Sequence, residues 1–230
     1  MNEVLSAAID IPSLLSLLPS GAKVADIGCF GWRWASKCTE HHLDYWGLDQ
    51  QKPPYQPAQA QFAPINQDGT LMVGDEMFDV VILSHVLEHL QNPMPLVEEC
   101  RRICKPGGII WIETPSEHSI LIPSYDSVQE DRFLSFWDDP THVRPYTPMA
   151  LYRIAISFNL WPIGIQRVMY GDLPSVRICA QKIDNTPMRY VTLVACQDKS
   201  LDGVWQHIWQ RSIPEQSELS KRVSQVMTSR

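Results

Sequence analysis

Two aspartates, Asp26 and Asp49, each close a short apolar run, and the first is followed by the turn Gly28-Cys29-Phe30-Gly31. A strand that ends in Asp-x-Gly before a tight turn lets backbone amides and a helix start face a polar ligand. A carboxylate at the end of the next strand can accept both hydroxyls of a ribose. Asp49, 21 residues beyond Gly28, has the spacing for that role. The pattern by itself suits a dinucleotide as well as another nucleoside ligand. Phe30 and Trp32 stand where such turns more often carry small residues.

The elements that must hold these residues are legible as alternating apolar bursts and helical patterns, which predicts an α/β sheet with helices on both faces. AKVADIG is read as the first strand, GWRWASKCTEHH as a helix and DYWGLDQQ as the second strand. FDVVILS, Phe78 to Ser84, is a continuous apolar run suited to a sheet centre buried on both faces. In MPLVEECRRICK the positions Leu96, Val97, Cys100, Ile103 and Cys104 form one helical stripe, which PGG ends. GIIWIETP is the next buried strand, PMALYRIAISF a helix, and IGIQRVMY and YVTLVACQD the closing strands. The proline-rich residues 52 to 64 read as a loop with a short edge strand at most.

Composition narrows the function. A chain of 230 residues with 44% apolar content can bury a sizeable core. A formal net charge of -7 argues against a nucleic-acid partner. The N-terminus lacks the basic region and small-residue cleavage site of a secretory signal. No stretch approaches the ~18 apolar residues of a membrane span. Six cysteines are scattered without Cys-x-x-Cys spacing, as in reduced cytosolic proteins, so a cytoplasmic location is expected.

The series VADIGCFG, YWGLDQQ, FDVVILSHVLEHLQNP and LVEECRRICKPGGIIWIETP resembles, in order and spacing, the class I S-adenosylmethionine-dependent methyltransferases. The likeness runs from about Val24 to Pro115, and FDVV with its leucine-histidine segment and KPGG turn carries more of it than the glycine turn. DDPTHVRPYTPMALYRI resembles the substrate-side segment of the small-molecule branch. The resemblance implies a Rossmann-like, seven-stranded, mostly parallel sheet with one antiparallel strand near its edge, assigned here to YVTLVACQD. The methyltransferase-like domain is expected over residues 1–199 with a substrate-side insertion at about 116–147, and residues 200–230 read as a helical tail packed outside the core.

S-adenosyl-L-methionine is the cofactor so implied, and its site maps onto this chain residue by residue. Asp26 and Gly28 would open the loop around the methionine portion, with Cys29, Phe30 and Gly31 giving backbone contacts. Asp49 would take the ribose diol, Gln50 would lie beside the adenine, and Asp68 would fall near the adenine amino group. Ser84 and His85 would line the sulfonium side. The acceptor is expected to be a small molecule, methylated on an oxygen of a sugar, quinone or similar metabolite. A catalytically silent binding protein is the alternative, with Phe30 and Trp32 as its support.

If the acceptor is a hydroxyl, a base must take its proton, and histidine suits that role near neutral pH. His142, which follows Asp138, Asp139 and Pro140, is the first candidate, and His85 and His118 come next. His85, Glu88 and His89 share a helical face resembling the Glu-x-x-Glu-His metal-binding face of some quinone-pathway relatives, but no metal is expected here. Trp205 and Trp209, four apart in the tail, are expected to pack on the sheet or on a partner chain in a homodimer.

Overall fold

The computed structural model describes residues 8–122, 135–171, 173–183 and 216–228. Its sheet has seven strands: β1 (Lys23–Ile27), β2 (Asp44–Asp49), β3 (Ala60–Pro64), β4 (Phe78–Ser84), β5 (Cys104–Pro115), β6 (Leu160–Tyr170) and β7 (Leu173–Lys182). They lie in the order β3-β2-β1-β4-β5-β7-β6. Pairing is parallel from β3 through β5, whereas β7 runs antiparallel to both β5 and β6. The strand order reverses between β1 and β4, which opens a crevice at their carboxyl ends.

The period-2 alternation of strand side chains divides the core in two. On one face Ala25, Ile27, Val81, Leu83, Ile110 and Ile112 pack with α3 (Met94–Ile103) and α4 (Pro148–Ser157). On the other, Val24, Tyr45, Val80, Ile82 and Trp111 pack with α1 (Ile11–Ser16), α2 (Ala35–Glu40) and α5 (Glu218–Thr228). Caps fix where two of these helices start. The Asp10 carboxylate accepts from the Ser13 amide at 2.8 Å, and the Thr147 hydroxyl accepts from the Ala150 amide at 3.0 Å.

Three expectations need correction. The antiparallel strand is LPSVRICAQK, and YVTLVACQD lies outside the described residues, as do Trp205 and Trp209. The long helix after the glycine turn is a 3₁₀ turn, Phe30–Trp32, followed by the short α2. Gly31 and Trp32 take φ of +76° and +56°, which an α-helix does not accommodate. The described end of the tail is also not outside the core. Val223 and Met227 of α5 are buried with Val24, Ile109 and Trp111, because the sheet would otherwise leave that apolar face wet.

Candidate active site

Asp26 stands near the end of β1 with its side chain buried, and its Oδ2 accepts a 2.6 Å hydrogen bond from the Tyr45 hydroxyl of β2. Burial pushes this carboxyl up to about 7, against the lowering effects of the Tyr45 bond and the Arg33 charge, while Asp49 adds to the rise. The chain then turns at Gly28, whose φ is +70° and whose amide donates to the Leu48 carbonyl at 2.7 Å. A Cβ at Gly28 would meet Val86 Cγ2 at 2.8 Å. The bare backbone is therefore needed where the turn passes the segment after β4.

The two aromatics of this turn leave in different directions. Phe30 is 86% exposed, while Trp32 is 6% exposed and packs edge-on against Tyr45 and Phe62. The Trp32 indole donates to the Pro54 carbonyl at 3.1 Å. Gly47 of β2 makes room for it: a Cβ there would lie 2.6 Å from Cys29 Sγ and 2.7 Å from the Trp32 ring. Trp32 is thus an anchor in the helix-side core and does not close the crevice.

Asp49 ends β2, half-buried, one strand over from Asp26 on the same edge of the sheet. Gln50 follows it in an exposed bend. Asp68 is exposed too, in the turn after β3, where its Oδ1 accepts from the Thr70 amide at 2.9 Å and its carboxyl is held low by that bond. Ser84 ends β4 opposite Glu113 of β5. These residues line one continuous edge, from β3 to β5.

His85 adopts φ of +56° just beyond β4, and two carboxylates face its ring. Its Nδ1 lies 3.1 Å from Glu88 Oε1 and its Nε2 lies 3.5 Å from Glu113 Oε1. Burial works to lower its pKa, but the two glutamates outweigh this and raise it to about 9. Glu113 is itself paired with Arg177 of β7 at 2.6 Å, and Glu88 Oε2 accepts from Thr114 at 3.0 Å. The His85 ring packs 4.1 Å from that of Tyr170.

His142 sits on the other side of Glu88. Its segment is tied there by the Val143 amide, which donates to the Glu88 carbonyl at 2.7 Å. Its Nδ1 lies 2.7 Å from the Phe136 carbonyl, an acceptor only, so Nδ1 carries the hydrogen and Nε2 is the basic nitrogen of the neutral ring. That carbonyl fixes the tautomer. Asp139, one of the two carboxylates that precede it in sequence, faces Nε2 at 3.8 Å. Although burial works to raise its pKa, Asp139 is held low by Thr141 and by the charges of His142 and His89. Glu88, His89 and His142 bring ligand-type atoms within 4.8 Å of one another, so the potential metal cluster differs from the His85, Glu88 and His89 face. Both Glu88 oxygens in this trio already have protein partners. His118, 56% exposed in its side chain, touches Glu117 at 4.0 Å.

The profile of a family described as a methyltransferase domain matches residues 3–161 of this chain. The chain is a class I S-adenosylmethionine-dependent methyltransferase. S-adenosylmethionine is its cofactor, and two carboxylates beside a glycine turn on one sheet edge are acceptors of the kind its ammonium and hydroxyl groups require. Relatives named ubiquinone biosynthesis O-methyltransferase are 28% identical over 186 residues in Aliivibrio fischeri and 25% identical over 177 residues in Vibrio vulnificus. These alignments cover 75% and 71% of this chain and 78% and 74% of the relatives. An S-adenosylmethionine-dependent methyltransferase from Methanosarcina mazei has the same fold, with a TM-score of 0.58 at 15% identity over 77% of this chain and 99% of that one. So does an N1-methyltransferase from Burkholderia thailandensis, solved with S-adenosylhomocysteine, with a TM-score of 0.54 at 17% identity over 72% of each chain. Among the described residues no helix of this methyltransferase is long and apolar enough to cross a membrane.

Tyr45, Glu113, Arg177, Tyr170 and Arg33 join the site without a motif that marks them in the sequence. A lone acid inside the apolar run of GIIWIETP is the one local signal for this network, because a buried carboxylate requires a partner. The others are brought in by tertiary structure.

Proposed function

We propose that this methyltransferase acts on a hydroxyl oxygen of a small metabolite, a quinone-related phenol being the favoured class. The observation that carries the reading is the orientation of His142: Nδ1 held by a backbone carbonyl, and Nε2 turned 3.8 Å from the Asp139 carboxylate. The names of the relatives support oxygen as the methylated atom and quinone chemistry as the context.

In this reading Asp26, Gly28, Cys29, Phe30 and Gly31 surround the methionine end of the cofactor, with Phe30 contributing backbone only. Asp49 accepts from the ribose diol, Gln50 and Asp68 border the adenine, and Ser84 and His85 line the sulfonium side. When bound, S-adenosylmethionine supplies a methyl group on a positively charged sulfur, which an attacking oxygen displaces. His142 Nε2 takes the acceptor proton, and Asp139 stabilises the charge that results. His85, protonated between Glu88 and Glu113, is too weak an acid-base partner at neutral pH to serve as the base. Its role is structural: held between the two glutamates, it orders the segment after β4. A cytoplasmic location belongs to the same reading, supported by five free buried cysteines among the described residues.

The test is transfer of labelled methyl from S-adenosylmethionine to a panel of catechols, hydroxybenzoates, sugars and aromatic amines, with His142→Ala alongside. Labelling of phenolic oxygens that collapses in the variant is the expected result. Labelling confined to nitrogen or carbon acceptors would overturn the reading.

A further inference from the structure

The β6–β7 hairpin reaches farther along the sheet edge than β5 does. Pro115, the last residue of β5, pairs with Ser175, whereas Tyr170 and Leu173 pair beyond it at the hairpin tip. Tyr170 at its end reaches the loops that follow β4 and β1. There the Tyr170 ring lies 4.1 Å from the ring of His85 and 4.7 Å from the Arg33 guanidinium. Arg33 follows the glycine turn directly and also lies 5.0 Å from the Trp34 ring.

Arg33 differs from the paired arginines of this protein. Arg102 bonds Glu99 and Asp75, Arg177 bonds Glu113, and Arg167 bonds Glu117. Arg33 makes no hydrogen bond or ion pair to any described residue and is exposed, with two aromatic rings against it. Aromatic stacking occupies the flat faces of a guanidinium and leaves its in-plane N–H groups free to meet a planar anion bidentately. Its contact with Tyr170, whose ring also meets His85, sets it beside the segment that follows β4.

We propose that Arg33 is a carboxylate-binding residue of the active site, and that Tyr170 is the positioning residue that holds its guanidinium in place. This rests on the cofactor lying against the glycine turn as proposed above. Two carboxylates could meet Arg33: the amino-acid end of the cofactor, or a carboxyl group on the acceptor.

Calorimetry on the full chain separates these sources. Arg33→Met and Tyr170→Ala are titrated with S-adenosylhomocysteine and with methylthioadenosine, which lacks the amino-acid end. With S-adenosylhomocysteine present, they are then titrated with 3,4-dihydroxybenzoate and with catechol. A loss of roughly tenfold or more for S-adenosylhomocysteine but not methylthioadenosine assigns the cofactor carboxylate. A similar loss for 3,4-dihydroxybenzoate but not catechol assigns the acceptor. Tyr170→Phe, which keeps the ring, restores the affinity that Tyr170→Ala loses, as a general loss of structure would not. The proposal is overturned if neither carboxylate ligand loses affinity, or if the carboxylate-free ligands lose as much. Asp49→Ala tests the underlying placement separately: unchanged affinity for both nucleosides in that variant means the cofactor lies elsewhere, whatever Arg33 does.

Discussion

The Tyr45 hydroxyl and the Asp26 carboxylate meet at 2.6 Å beneath the glycine turn, both buried. Tyr45→Phe removes the one side-chain donor that offsets the burial of Asp26, so the Asp26 pKa rises further above 7. If ionised Asp26 favours the ammonium group of the cofactor, the pH above which S-adenosylhomocysteine binds tightly moves upward in this variant. Affinity measured from pH 6 to 9 checks it, and an unshifted profile separates Asp26 from cofactor binding.

Asp49→Ala removes a charged acceptor from the proposed ribose site. A loss of roughly 2 to 4 kcal/mol in S-adenosylmethionine affinity is expected, with little change in fold stability. Calorimetry and thermal unfolding on the same sample read both quantities.

Replacing His142 by Ala should lower turnover by ~10²-fold or more while cofactor affinity stays intact. The ring also packs on Phe136 and His89, so a purely structural role predicts instead that stability and cofactor binding fall together. Full turnover in the variant would remove His142 from the mechanism.

His85 links pH to stability with a definite sign. Its pKa is raised from 6.5 to about 9 on folding, so the folded state holds the proton more tightly than the unfolded state. That contribution is complete below about pH 6.5 and is lost as pH rises through about 9. Denaturant unfolding from pH 6 to 10 should show this alkaline decline, and His85→Gln should flatten it.

The two aromatics of the glycine turn should separate cleanly. Trp32→Ala empties a buried site and should cost about 3 to 5 kcal/mol of stability, whereas Phe30→Ala should stay within about 0.5 kcal/mol. Equal effects would contradict the burial difference between them.

What could be read in the sequence was whatever depends on neighbours along the chain. Val80 to Leu83 of FDVVILS are all apolar because β4 is covered on both faces, and Asp26 and Asp49 are visible because each ends such a run. LPSVRICAQK hid its strand because Arg177 and Lys182 break the apolar pattern. Their partners are Glu113 in one case and Glu76 and the Cys104 carbonyl in the other, all distant in sequence. Trp32 misled for a related reason: its helical spacing was plain, but its left-handed φ and the bare Gly47 that receives its ring are set by packing. The candidate site divides the same way. The glycine turn and the two aspartates are local motifs, while the Arg33, Tyr170 and His85 stack exists only because an edge hairpin overhangs its neighbours.

The position of α5 has a consequence for biosynthesis. Val223 and Met227 cover Trp111 and Val24, and the Ser217 hydroxyl donates to the Gly107 carbonyl at 2.7 Å. Strands that leave the ribosome early therefore wait for residues translated more than a hundred positions later before one face of the sheet is sealed. Until then a nascent chain leaves part of that apolar face open to solvent, the condition under which incompletely folded chains aggregate.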